Sequence, residues 1–109
     1  MSVCTGALFL AEAGVLGGVS ATTHPGYYGK LREICEGKVK EAGKGTEVLK
    51  ERFVVNRVDE ERGLRIITAG GVSCGLDASL WLVGEVAGTD SRERVAQVVQ
   101  YAWREGFVL

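Results

Sequence analysis

The stretch Ser2-Val3-Cys4-Thr5-Gly6 joins a short extended segment to the helix that follows it. The small residues around Cys4 allow the chain to bend sharply between the two elements. A cysteine at such a bend lies beside the first amides of the helix, which favour a thiolate and can donate to an oxyanion. The stretch therefore predicts that Cys4 is a nucleophile. The alternative is a free cysteine that packs as a small apolar side chain.

The first half of the chain alternates helical and extended patterns. Apolar residues predict a short buried helix over 5–13, β-branched residues predict a strand over 19–23, and a stripe that includes Leu31, Ile34 and Cys35 predicts a helix over 28–36. The stretch 37–45 is charged and contains several glycines, so it is expected to be a surface loop. Cys35 lies on the apolar stripe and is expected in the core.

The second half predicts a hairpin and two helices. Strands around 53–55 and 64–68 are separated by the turn Asp59–Gly63. Residues 73–87 are apolar nearly all round, which is typical of a helix that packs within a larger fold. The last helix begins with the capping signal of Asp90 and Glu93 and carries its apolar residues on one stripe, namely Val95, Val98, Val99, Ala102 and Trp103.

Composition limits the classes of function. The 109 residues carry 13 Lys plus Arg and 14 Asp plus Glu, so a net charge of -1 offers no attraction to nucleic acid or to an anionic membrane. The chain has three cysteines, one histidine and no CxxC pair, so we expect neither a disulfide framework nor a metal site. A reducing cytoplasmic location fits this pattern best, and we expect no cofactor. The glycine-rich loop at 70–75 lacks the lysine of a phosphate-binding loop, which argues against a nucleotide site.

Three blocks of sequence carry a family resemblance. They are Ser-Val-Cys-Thr-Gly-Ala at 2–7, Ala-Thr-Thr-His at 21–24 and Ile-Thr-Ala-Gly-Gly-Val-Ser-Cys-Gly-Leu-Asp at 67–77. Their order and spacing resemble the ThiJ/PfpI superfamily, which is glutamine amidotransferase-like, and within it the isonitrile hydratase branch. The resemblance covers the chain except for the charged stretch at about 26–50.

The resemblance implies both a fold and a site. The fold would be α/β: the C-terminal part of a flavodoxin-like α/β/α sandwich, with an incomplete sheet, a hairpin and flanking helices, and commonly dimeric. By this resemblance, Cys4 would be the nucleophile, and Thr5 a neighbour whose amide or hydroxyl stabilises developing charge. His24 would be a nearby residue at a strand end. On the residues alone, a structural hydrogen-bonding role is the more common one for such a histidine, and only the resemblance gives the two roles equal weight.

Two departures from the family pattern shape the expectation. The family places an acidic residue on an early strand upstream of the cysteine, whereas this chain begins three residues before Cys4. We therefore expect residues 1–109 to form a single partial domain that lacks the N-terminal strands and is inactive by itself. Glu12 and Asp77 are poor substitutes for the acid, and a helix cap is the simpler role for Asp77. In addition, Thr5 follows the cysteine where protease-like members have histidine, which argues against peptidase activity.

Three functions remain open. The resemblance implies hydration of an isonitrile, a small electrophilic substrate, to an N-substituted formamide through Cys4. A non-catalytic module for sensing or dimerisation is the second possibility, and a glyoxalase or deglycase-like activity on reactive carbonyls is the third. The second cysteine of the 67–77 block, Cys74, could also be reactive, but tight packing explains its glycine-rich surroundings.

Overall fold

The computed structural model describes residues 1–41 and 43–109, with Ala42 known only as the last residue of its helix. The helices are α1 (Gly6–Glu12), α2 (Tyr28–Ala42), α3 (Val72–Ala87) and α4 (Thr89–Val98), with a 3-10 turn at Pro25–Tyr27. The strands are β1 (Ser2–Val3), β2 (Ser20–Ala21), β3 (Glu47–Val48), β4 (Phe53–Val55), β5 (Ile67–Ala69) and β6 (Phe107–Val108). The predicted α/β class is confirmed, and the arrangement is consistent with part of a flavodoxin-like fold.

A four-stranded mixed sheet forms the centre, in the order β1-β5-β4-β6. β1 runs parallel to β5, with Ser2 opposite Thr68 and Val3 opposite Ala69. β4 is antiparallel to β5, as the predicted hairpin requires, and parallel to β6. The elbow strand β1 and the C-terminal strand β6 therefore lie at opposite edges of this sheet.

Buried polar side chains join the small parallel pair β2-β3 to the central sheet. The Thr22 N–H donates to Thr68 Oγ1 at 2.9 Å, and the Ser20 N–H donates to Asn56 Oδ1 at 3.0 Å. Asn56 also donates from Nδ2 to the Ser20 carbonyl at 2.8 Å. These bonds satisfy backbone groups that a strand ladder would otherwise serve.

Two apolar clusters lie among the helices and strands. The first joins α1 and α2 and contains Ala7, Ala11, Leu16, Ala21, Leu31, Cys35 and Ile66. The second lies between the central sheet and α3 and contains Phe53, Val55, Ile67, Ala69 and Ala78. The predicted core position of Cys35 is confirmed, since only 6% of the residue is exposed.

The second helix is longer than predicted. The expected loop at 37–45 is helical as far as Ala42, because its lysines and glutamates are good helix formers and Lys38 pairs with Glu41 at 3.7 Å. Gly43, at φ 70°, ends the helix in the left-handed conformation that glycine adopts readily.

The last helix is shorter than predicted. α4 ends at Val98, and Gln100 takes a positive φ of 52°, so Ala102 and Trp103 leave the stripe. The chain then returns to the sheet as β6, a strand that the sequence pattern did not predict. No helix in the described ranges 1–41 and 43–109 is long and apolar enough to cross a membrane.

Candidate active site

Cys4 lies at the predicted bend in an unusual backbone conformation. Its φ is 56°, in the left-handed region that side chains other than glycine rarely adopt. Its N–H donates to the carbonyls of Ala69 at 3.1 Å and Gly70 at 2.5 Å, both at the end of β5. These bonds hold the end of β1 against β5, while the chain must start α1 only two residues later. The combination of strain and fixation is typical of functional sites.

Thr5 occupies the position between Cys4 and the helix. It is the N-cap residue of α1, but its side chain makes no capping hydrogen bond. The first N–H groups of a helix have no carbonyl partner within that helix. The half-buried Thr5 hydroxyl is thus not committed to the helix end.

His24 reaches the same end of the sheet through its neighbour Thr23. The fully buried Thr23 donates from Oγ1 to the Cys4 carbonyl at 2.8 Å, which ties the segment after β2 to the elbow. The exposed His24 accepts a bond from the Gly26 N–H at Nδ1, 3.1 Å away. Because Nδ1 accepts, the neutral imidazole carries its proton on Nε2. This geometry gives His24 a structural role as the cap of the turn Pro25–Tyr27, and leaves Nε2 able to donate.

The glycine-rich loop after β5 packs closely against both segments. A Cβ on Gly70 would lie 3.3 Å from Cys74 Sγ and 3.5 Å from the Thr23 carbonyl oxygen. A Cβ on Gly71 would lie 3.8 Å from the His24 ring. A Cβ on Gly75 would clash with the side chain of Val3 at 2.7 Å. Close packing thus accounts for glycine at positions 70 and 75, as expected from the sequence, and brings Cys74 to the same end of the sheet.

An ion pair borders this loop, and its role was not foreseen from the sequence. Asp77 lies in the middle part of α3 and is fully buried. Arg52 Nε donates to its Oδ2 at 2.6 Å. The Arg104 N–H donates to the other carboxylate oxygen at 2.7 Å. Hydrogen bonding to Asp77 raises the pKa of Arg52 above its ordinary value. The expected capping role of Asp77 is therefore wrong, since Gly71 is the N-cap and Asp77 lies further along the helix.

Tyr101 extends the same network. Its hydroxyl donates to the Ser73 carbonyl at 3.0 Å and accepts from Arg52 Nη2 at 3.4 Å. Burial is the main cause that raises the pKa of the Tyr101 hydroxyl above its ordinary value, and the neighbouring Asp77 raises this pKa further. The one sequence signal for this network was an acidic residue inside an apolar helical pattern, since buried carboxylates require partners.

The three site residues predicted from sequence thus belong to two segments that the Thr23 side chain joins at one end of the sheet. Cys4 and Thr5 are consecutive, and Thr23 connects them to the His24 segment. Among the described side chains, no hydrogen bond joins a carboxylate to Cys4, and Glu12 is an exposed residue at the far end of α1. Whether Cys4, Thr5 and His24 catalyse a reaction stays a prediction.

Sequence comparison adds an independent observation. Isonitrile hydratase of Pseudomonas putida is 35% identical to this chain over 101 residues, which is 93% of the chain. The chain spans 37% of the length of that protein. No family model matches the chain. The similarity to isonitrile hydratase confirms the ThiJ/PfpI-like resemblance first indicated by the three sequence blocks.

Proposed function

We propose that this relative of isonitrile hydratase uses Cys4 as a nucleophile toward a small electrophilic carbon, with an isonitrile as the substrate class. The observation that carries the proposal is the φ of 56° at Cys4, at a turn from strand to helix. A strained backbone at a nucleophile is a common functional device, and the similarity to an isonitrile hydratase supports the same chemistry here.

The proposed chemistry is an addition followed by hydrolysis. The Cys4 sulfur attacks the terminal carbon of the isonitrile, and that carbon gains the thiol proton, which gives a thioimidate. Water then adds to the same carbon, the C–S bond breaks, and an N-substituted formamide leaves with the thiol regenerated. The net reaction consumes one isonitrile and one water.

Thr5 and His24 are the proposed assisting residues. The Thr5 hydroxyl, which makes no cap bond, is placed beside the sulfur-bearing residue and would stabilise charge that develops on the substrate nitrogen. His24 would donate from Nε2, since its Nδ1 already accepts from Gly26. The general acid is proposed to come from strands outside residues 1–109, because the chain spans 37% of the length of its relative. Turnover by the chain alone is then expected to be slow or absent.

Adduct formation tests the role of Cys4 without requiring turnover. The chain is incubated with an alkyl isonitrile, and intact-protein mass spectrometry measures covalent addition. We expect one adduct on the wild-type chain and on Cys74→Ser, which removes a second half-exposed thiol at the same end of the sheet. We expect none on Cys4→Ser. An adduct that persists in Cys4→Ser would contradict the proposal.

A parallel incubation with methylglyoxal separates isonitrile chemistry from glyoxalase-like chemistry. If Cys4 forms its adduct with methylglyoxal and not with the isonitrile, the carbonyl activity replaces the isonitrile activity as the proposal. If Cys4 reacts with neither compound, a non-catalytic role is favoured.

A further inference from the structure

A cavity of about 440 Å³ lies at the β6 edge of the sheet, opposite the edge that carries Cys4. Its walls come from three elements: Trp81 of α3, Arg92 of α4, and the segment that includes Trp103, Glu105 and Phe107. Both tryptophans of the chain line it. The chemistry proposed at Cys4 does not use this cavity.

Arg92 is the polar group that gives the cavity its chemical character. Its guanidinium carbon lies 4.2 Å from the centre of the Trp103 ring, which is a cation–π contact. Its Nη1 lies 3.1 Å from the position that a Cβ on Gly84 would take. The guanidinium therefore packs against α3 at a place where glycine has no side chain. This packing fixes the side chain at the wall of the cavity.

Within the described ranges 1–41 and 43–109, Arg92 has no anionic partner. Its Nε is buried with no hydrogen-bond acceptor, and none of the ion pairs found there includes it. A buried charged donor without an acceptor is costly, because the lost hydration is not replaced. The other packed arginine, Arg52, has its carboxylate in Asp77. Arg92 lines the cavity, and its charge is therefore available to an anion bound there.

The remaining walls favour a flat apolar body. Trp81 and Phe107 offer aromatic surfaces, and Arg65 already covers one ring face of Trp81 at 5.1 Å. Glu105 is exposed and also lines the cavity. Its like charge would weaken the binding of an anion.

We propose that this cavity binds a small carboxylate with a planar aromatic body. The carboxylate accepts from the guanidinium of Arg92, whose fork of N–H donors matches two oxygens. The ring lies against Trp81 and Phe107, where aromatic contacts stabilise it.

Benzoate and benzamide test the proposal on the unaltered chain. The two compounds have similar shapes, and only benzoate carries the charge. We expect benzoate to shift the indole N–H signals of Trp81 and Trp103 in an NMR titration, with a Kd on the order of 1 mM, as befits so small a ligand. Benzamide is expected to bind at least about tenfold more weakly, because it lacks the charge-assisted hydrogen bonds. Equal binding of the two compounds, or no saturable shift with benzoate, would overturn the proposal.

Variants then locate the site. Arg92→Gln is expected to weaken benzoate binding about tenfold. Arg94→Gln, which removes an exposed arginine from the same helix, should leave binding unchanged. Glu105→Gln should strengthen it about twofold, by removal of an exposed like charge. Cys4→Ser should have no effect, since Cys4 lies at the other sheet edge; a loss of benzoate binding in Cys4→Ser, or an equal loss in both arginine variants, would place the ligand elsewhere.

Discussion

The backbone of Cys4 is held at φ 56° by bonds to the carbonyls of Ala69 and Gly70. A residue with a Cβ pays about 1–2 kcal/mol for this conformation, whereas glycine adopts it readily. We therefore expect Cys4→Gly to be about 1 kcal/mol more stable than Cys4→Ala, in spite of the greater freedom of glycine in the unfolded chain. Urea denaturation of the two variants measures the difference. If Cys4→Ala were the more stable of the two, the elbow would not be strained.

Cys35 contrasts with Cys4 because it is enclosed by apolar residues. Burial raises the pKa of the Cys35 thiol above its ordinary value of 9.0, partly offset by a hydrogen bond with Thr46. The folded state then keeps the thiol protonated at pH values where the unfolded chain ionises. Its contribution to stability is complete below pH 9.0 and is lost as the pH rises above it.

The expected consequence concerns alkaline unfolding. Between about pH 7 and about pH 10 the wild-type chain should lose more free energy of unfolding than Cys35→Val, because the variant has no thiol to ionise. Cys74→Ala is the matched control and should keep the wild-type loss. Urea denaturation at the two pH values provides the measurement. The same loss in Cys35→Val and wild type would show that Cys35 does not contribute; ionisation of Tyr101 is common to all three proteins.

Among the elements, α3 depends on the pairing of its interior Asp77 with Arg52 from the loop before β4. Removal of one partner from a buried ion pair leaves the other charge without compensation, which costs about 3–5 kcal/mol when both are fully enclosed. Arg52 is 30% exposed and Asp77 0%, so water partly compensates. We expect Arg52→Ala to destabilise the chain by about 2–3 kcal/mol.

Arg57→Ala is the control for this prediction, since it removes an exposed arginine a few residues away. Its free energy of unfolding, from urea denaturation, should be within about 0.5 kcal/mol of the wild-type value, as for ordinary surface substitutions. A similar effect of the two variants would mean that the ion pair contributes little to the packing of α3.

The elements that the sequence predicted well are those with strong local signals. The elbow at Cys4, the hairpin of β4 and β5 and the long helix α3 each combine an apolar pattern with glycine or polar residues at the ends. The misses arise where tertiary contacts override local patterns. Trp103 fits the apolar stripe of α4, yet it packs on Arg92 after the helix has ended. β6 has two residues, and its pairing with β4 determines its structure.

The candidate site follows the same rule. Cys4 was predicted to be the nucleophile from local sequence and from the resemblance, whereas the bond from Thr23 to the Cys4 carbonyl joins segments that no local pattern connects. The Arg52–Asp77 pair is likewise a long-range contact. Its detection requires knowledge of which loop lies beside which helix.

For the molecule as a whole, we propose that exposed valines at the end of α4 form a surface for self-association. Val95, Val98 and Val99 are 40%, 82% and 55% exposed and, by helical spacing, share one side of the helix end. The chain is expected to form a dimer through this surface, in line with the ThiJ/PfpI resemblance. Val98→Lys should shift the sedimentation coefficient toward the monomer, and Gln97→Lys, which adds the same charge at the adjacent exposed position, should not. A wild-type chain that is monomeric at all concentrations would refute this expectation.

The pairing of β1 with β5 also has a consequence for the order of folding. More than half of the chain separates Ser2 from its partner Thr68. Contacts so distant in sequence form slowly, because the ends of the intervening segment must first come together. During synthesis, therefore, Cys4 leaves the ribosome before β5 and cannot adopt its strained conformation until β5 has followed. The reactivity that we propose for Cys4 toward an isonitrile should appear late, together with the completed sheet, so that the rate of adduct formation in refolding chains reports the last step of assembly.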